Sequence, residues 1–106
     1  MAYFYQITFD VHTDDMSELQ IGGSLERTLG YLRALLPSEL GYVTIRAARS
    51  VDAQEHVHVL VESEWDTWQD LERHRASSLA EDKVLQEFEP HVALDDLTVR
   101  VFEEVA

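Results

Sequence analysis

The chain opens on an alternation. In MAYFYQITFD and the valine after it, Tyr3, Tyr5, Ile7, Phe9 and Val11 share one face, and Phe4, Gln6, Thr8 and Asp10 share the other. That period of two marks a strand with one apolar side. The next stretch, HTDDMSELQIGG, is polar and ends in a glycine pair, so residues 12–23 read as a loop with at most a short helical turn. From Ser24, an expected N-cap, Leu25, Leu29, Leu32 and Leu36 recur at three- and four-residue spacing. This predicts an amphipathic helix ending near Pro37. Gly30 inside it costs about 1 kcal/mol against alanine.

Two more alternating runs follow. In GYVTIRAARSV, Val43, Ile45, Ala47 and Val51 oppose Thr44, Arg46 and Ala48. In HVHVLVESEW, Val57, Val59, Val61 and Trp65 oppose His56, His58, Leu60, Glu62 and Glu64. The polar DAQE between them reads as the turn of a hairpin. Helical spacing then returns with two capping signals, Asp66 with Gln69 and Ser78 with Glu81, which predict two helices or one broken near Ser77. Trp68, Leu71 and Arg75 form the first stripe, Val84, Leu85 and Phe88 the second, and Pro90 ends it. A last run, LTVRVFEEV, sets Leu97, Val99, Val101 and Val105 against Thr98, Arg100, Phe102 and Glu104.

The order β-α-β-β-α-β predicts an α+β, ferredoxin-like domain spanning residues 1–106, a four-stranded antiparallel sheet with the helices on one face. The opposite face mixes Phe4, Leu60 and Phe102 with Gln6, Thr8, Asp10, Arg46, His58, Glu62 and Arg100. An open sheet carries fewer large apolar groups, and a core rejects so many charges. A homodimer with the two sheets face to face reconciles both, the arginines pairing with Asp10 or Glu62. An open sheet with scattered apolar residues is the alternative.

Charge narrows the partners. With 21 acidic residues against 8 basic and a net charge of -13, the chain repels nucleic acid and anionic membrane surfaces. The absence of cysteine excludes disulfides, thiolate metal sites and cysteine nucleophiles. The N-terminus has neither the basic start nor the apolar run of a signal peptide, and the expected location is the cytoplasm. His56 and His58 have metal-ligand spacing on one strand face. If the first and third strands run parallel, however, His12 lies at the opposite end and cannot join them, so no metal site is expected. The acidic pairs Asp14–Asp15, Asp95–Asp96 and Glu103–Glu104 read as solvated surface. There is no glycine-rich phosphate loop, nucleophile elbow or zinc motif.

Trp65 ends the third strand, Leu71 follows six residues later, His74 nine later, and the small Ser77 comes after. This pattern resembles the antibiotic-biosynthesis-monooxygenase group of dimeric α/β barrels, and the match in element order covers nearly the whole chain. The resemblance implies a homodimer with a pocket in each protomer between helices and sheet. In catalytic members that pocket takes an aromatic polyketide or quinol and oxygenates it with molecular oxygen, without metal or flavin; no cofactor is expected here. On this basis Trp65, Trp68, Tyr3, Tyr5 and Phe9 are the expected walls for a small aromatic ligand, and His74 the proton acceptor or orienting group. Leu79 stands where relatives often carry a second histidine. The first strand lacks the asparagine of haem-degrading relatives, with Gln6 its nearest substitute, and Val84 occupies the position of their histidine ligand.

Simpler readings stand beside these. Trp65 can be a core residue joining sheet to helix, and His74 a partly buried helical histidine bonded to Asp70, Glu72 or Ser78. Two function classes therefore stay open: a cofactor-independent monooxygenase-like enzyme acting on a small aromatic or quinol, and a non-catalytic barrel that binds a small apolar ligand or serves a stress or regulatory role.

Overall fold

The computed structural model describes residues 1–52 and 55–106. Strand β1 (Tyr3–His12) lies beside β3 (His56–Trp65), with β2 (Tyr42–Arg49) and β4 (Thr98–Glu103) at the edges, in the order β2-β3-β1-β4. All three pairings are antiparallel. Helices α1 (Glu18–Leu35), α2 (Trp68–Ser77) and α3 (Leu79–Phe88) provide the second layer, α1 packing on α3 and α2 on the two central strands. Short 3-10 turns cover Leu36–Ser38 and Leu94–Asp96. Ferredoxin-like βαββαβ architecture is thus the observed one, with its second helical segment broken in two. Among the described residues no helix is long and apolar enough to cross a membrane.

The register explains the core. Tyr5 faces Ser63, Ile7 faces Val61, Phe9 faces Val59 and Val11 faces Val57, so one parity of both central strands points under the helices. These side chains are all buried, together with Ile21, Leu25 and Leu32 of α1 and Val84 and Phe88 of α3.

Several sequence expectations change. Helix α1 begins at Glu18, so Ser24 is not its N-cap and residues 12–23 are not mainly loop. Ser17 caps it: its hydroxyl accepts from Gln20 N–H (3.1 Å), and the Gln20 side chain accepts from Ser17 N–H (2.8 Å). Two reciprocal bonds at the first turn, with Ile21 buried behind them, outweigh the intrinsic cost of Gly22 and Gly23. Thr67, not Asp66, caps α2 by accepting from Asp70 N–H (3.1 Å). The helix breaks at Ser78, which takes a left-handed φ of 55° and makes no side-chain cap. Glu81, read as the partner of that cap, turns inward instead.

In β2, a register shift between Tyr42 and Thr44 turns Tyr42 toward the core and leaves Val43 exposed. Val51 lies past the strand end and is 94% exposed. Ala53 and Gln54 of the expected DAQE turn lie outside the described residues. Strands β1 and β3 run antiparallel, so His12 sits opposite His56, their rings 4.8 Å apart. A β1-α1-β2 crossover makes β1 and β2 parallel, and the hairpin partner inserted between them must then oppose both. The pair acquires no third ligand: among the described residues no group of three or more metal-capable side chains converges.

Candidate functional site

The candidate site lies at the Trp65 end of the sheet, where register brings its parts together. Tyr5, Ser63 and Ile45 form one cross-strand row, and Tyr3, Trp65 and Tyr42 form the next. Trp65 is fully buried, and its indole N–H donates to Ser63 Oγ (2.9 Å). That bond gives a reason for a serine on the apolar parity of β3, since a buried indole N–H needs an acceptor. Tyr42 packs edge-on against the indole (5.9 Å).

Helix α2 presents Asp70, Leu71 and His74 inward. His74 stacks on Trp65, with ring centroids 4.6 Å apart and planes at 24°, and takes the Tyr5 ring edge-on at 5.1 Å. The His74 side chain is 1% exposed, and its Nδ1 lies 3.3 Å from Glu39 Oε2. Neither imidazole nitrogen makes an aligned hydrogen bond within the protein, nor does that carboxylate oxygen. Burial pushes the His74 pKa below the ordinary histidine value, while the nearby Glu39 carboxylate pulls it back in part. The ring is therefore neutral at pH 7, able to accept a proton. Its partner is neither Asp70, Glu72 nor Ser78.

Behind the imidazole, the Tyr5 hydroxyl donates to Glu81 of α3. Burial raises the Glu81 pKa, with the Tyr5 hydrogen bond opposing the shift. Burial first, and then the Glu81 hydrogen bond, raise that of Tyr5. In front, the segment between the first 3-10 turn and β2 closes over α2. Gly41 has φ 83°, its carbonyl accepts from Asp66 N–H (2.9 Å), and its Cα rests against the Asp70 carboxyl. Thr67 Oγ1 (2.7 Å) and Arg73 (3.0 Å) both donate to Asp70. The Thr67 hydroxyl first, and Arg73 after it, hold the Asp70 pKa below the ordinary value.

Between this segment and α2 lies a cavity of about 300 Å³, bounded by Ser38, Glu39 and Leu40 on one side and Trp65, His74 and Ser77 on the other. Of the expected site residues, Trp65 and His74 border it, and Tyr5 backs His74. Tyr3 pairs with Trp68 (6.0 Å), the latter 39% exposed, and neither borders the cavity. Phe9 packs on Phe88 (4.9 Å), also away from it. Sequence reasoning missed Glu39, Ser63 and Glu81. Ser63 carried a signal, as the polar interruption on the Val57–Val61 parity. So did Glu81, three residues before Val84.

The opposite sheet face is open. Phe4 faces Phe102 across β1 and β4. Arg46 donates to Glu62 (2.7 Å), as does Gln6 (3.2 Å). Asp10 pairs with His58, not with an arginine. A broader depression of about 590 Å³ runs along this face beside Thr8, Asp10, Arg49, His58, Leu60 and Thr98.

No protein-family model matches this chain, and no curated protein matches it. Solved structures do. An EthD (ethyl tert-butyl ether d) family protein from Bacillus halodurans superposes with a TM-score of 0.67 at 14% identity, covering 99% of this chain and 100% of that one. A dimeric protein of unknown function and ferredoxin-like fold from Bacteroides fragilis gives 0.66 at 13%, covering 97% and 96%. SnoaB, a cofactor-independent oxygenase from Streptomyces nogalater, solved as a mutant, gives 0.62 at 13%, covering 97% and 92%. At these identities the likeness shows the fold. It is the ferredoxin-like fold of dimeric proteins, the architecture implied by the resemblance to the antibiotic-biosynthesis-monooxygenase group.

Proposed function

We propose that this protein is a cofactor-independent, monooxygenase-like enzyme that oxidises a small aromatic or quinol in the cavity beside His74. One observation carries the reading: a neutral imidazole, shut from solvent, whose Nε2 has no partner in the protein and whose Nδ1 faces only the Glu39 carboxylate at 3.3 Å. Leaving buried polar atoms unpaired costs roughly 1–3 kcal/mol each, and such sites concentrate where a ligand completes the bonding. The oxygenase activity described for SnoaB supports the same chemistry on this fold.

In this reading His74 takes the hydroxyl proton of a bound phenol. The phenolate passes one electron to molecular oxygen, and the resulting radical pair joins into a ring-bound peroxide anion. His74 returns its proton to give the hydroperoxide, whose O–O bond breaks as the hydrogen on the same ring carbon leaves with the outer hydroxide as water, forming the second carbonyl of a quinone. One oxygen atom ends in the quinone and the other in water, and all electrons come from the substrate. Exclusion of bulk water protects the radical pair. The protein acts as a homodimer, with Phe4, Leu60 and Phe102 of two open sheet faces buried against one another, as fits the dimeric description of the Bacteroides fragilis neighbour.

The test is oxygen uptake with single-ring hydroquinones and anthrone-like phenols. His74→Ala is expected to lower the rate about 100-fold or more with the fold intact by circular dichroism. An unchanged rate returns His74 to a structural role. A second reading, a non-catalytic barrel holding a small apolar ligand, is favoured by the close packing of Tyr5, Phe9 and Trp65, all under 5% exposed. Tight ligand binding with no oxygen uptake by the wild type selects it.

A further inference from the structure

The carboxylate beside His74 comes from outside every regular element that supports the imidazole. Glu39 follows the Leu36–Ser38 turn, and its backbone is tied on both sides: its N–H donates to Leu36 O (2.9 Å), and its carbonyl accepts from Tyr42 N–H (3.3 Å). The segment is pinned to the connection between β3 and α2 by the bond from Asp66 N–H to Gly41 O. The other carboxyl groups around the site are engaged, Asp70 by Thr67 and Arg73 and Glu81 by Tyr5. Arg75 reaches Glu72. Glu39 Oε2, buried and without an aligned partner, is the carboxylate oxygen facing the imidazole, 3.3 Å from Nδ1.

We propose that Glu39 is the positioning residue for His74. It accepts the Nδ1 proton and so fixes the neutral imidazole in the tautomer whose Nε2 lone pair is free to take a substrate proton. This rests on the reading of His74 as a base given above. A stacked imidazole between Trp65 and Tyr5 is fixed in plane but not in tautomer, because neither ring contact distinguishes the two nitrogens. A hydrogen bond to one nitrogen does distinguish them, and leaves the other bare. The Glu39 side chain is 30% exposed, so it stands at one wall of the cavity with its Oε2 toward the ring.

Long-range proton–nitrogen correlation spectra of the histidine rings at neutral pH read the tautomer without substrate. The wild type is expected to carry the His74 proton on Nδ1 with Nε2 bare. Glu39→Met keeps the side-chain length and removes the acceptor, and is expected to give mixed or reversed tautomers. Its kcat for oxygen uptake should fall about tenfold with KM unchanged, the scale on which carboxylates that orient an imidazole act. A wild-type proton on Nε2, the same spectrum in both proteins, or an unchanged kcat overturns the proposal. If Glu39→Met does not fold, the wild-type spectrum alone decides. If the wild type takes up no oxygen, the enzyme reading falls, while the spectra still report whether Glu39 selects the tautomer.

Discussion

The two faces of the sheet use the same four strands and differ in how their polar groups are satisfied. On the covered face, polar groups are few and face specific neighbours: Ser63 for Trp65, Glu81 for Tyr5 and Glu39 for His74 Nδ1, with only His74 Nε2 left bare among these. On the open face, Arg46, Gln6 and Glu62 form a cluster beside half-exposed aromatic rings. In a single protomer, water reaches Arg46, His58 and Asp10 on the open face and can stand in for their partners. On the covered face it cannot, so there an unpaired nitrogen carries information.

Removal of Trp65 is the strongest way to break this contrast. Trp65→Ala deletes a fully buried side chain that touches Tyr42 and His74, with an expected loss of about 3–5 kcal/mol in urea denaturation. A loss below about 1 kcal/mol would mean that this end of the core is not packed as described.

Next in size is the pH dependence of stability. The His74 pKa is lowered on folding from 6.5, so the unfolded chain binds more protons, and stability falls as pH drops below 6.5 through the folded value. The Glu81 pKa is raised on folding from 4.5, so the folded chain binds more protons, and stability falls as pH rises from 4.5 through its folded value. Urea midpoints measured across pH should therefore lose the acid-side decline in His74→Phe and the opposing decline in Glu81→Gln. Parallel profiles in all three proteins would contradict the burial assigned to both groups.

The smallest effect on monomer stability is expected on the open face. Phe102→Arg should change the free energy of folding by no more than about 0.5 kcal/mol. It should nevertheless convert a dimer into a species near 12.2 kDa by sedimentation, since two added charges would face each other across the interface. A wild type that sediments as a monomer would leave the mixed chemistry of that face without the proposed partner.

Strand parity could be read from the residues because Tyr3 to Val11 and Val57 to Trp65 alternate, and a strand with one covered face allows no other arrangement. The start of α1 was misread because a glycine pair is a conspicuous local signal, whereas the Ser17–Gln20 box becomes decisive only when Ile21 finds its place in the core. The direction of β1 against β3 is non-local, and nothing near His12 or His56 reports it. Trp65 and His74 stood out as unusual side chains. Glu39 did not, because it lies outside any periodic run, and its place depends on a turn, a register shift at Tyr42 and a glycine two residues on.

That glycine sets a clearance. At φ 83°, Gly41 holds its Cα against the Asp70 carboxyl, where a methyl group would overlap it. The gap between the segment and α2 is thus gauged by one missing carbon, and the reach of Glu39 toward the imidazole is gauged with it. An alanine at 41 would act as a shim, lifting the carboxylate away while leaving Glu39, His74 and Trp65 chemically unaltered. The spacing between the Glu39 carboxylate and the His74 ring is thus held at a backbone position that carries no functional group.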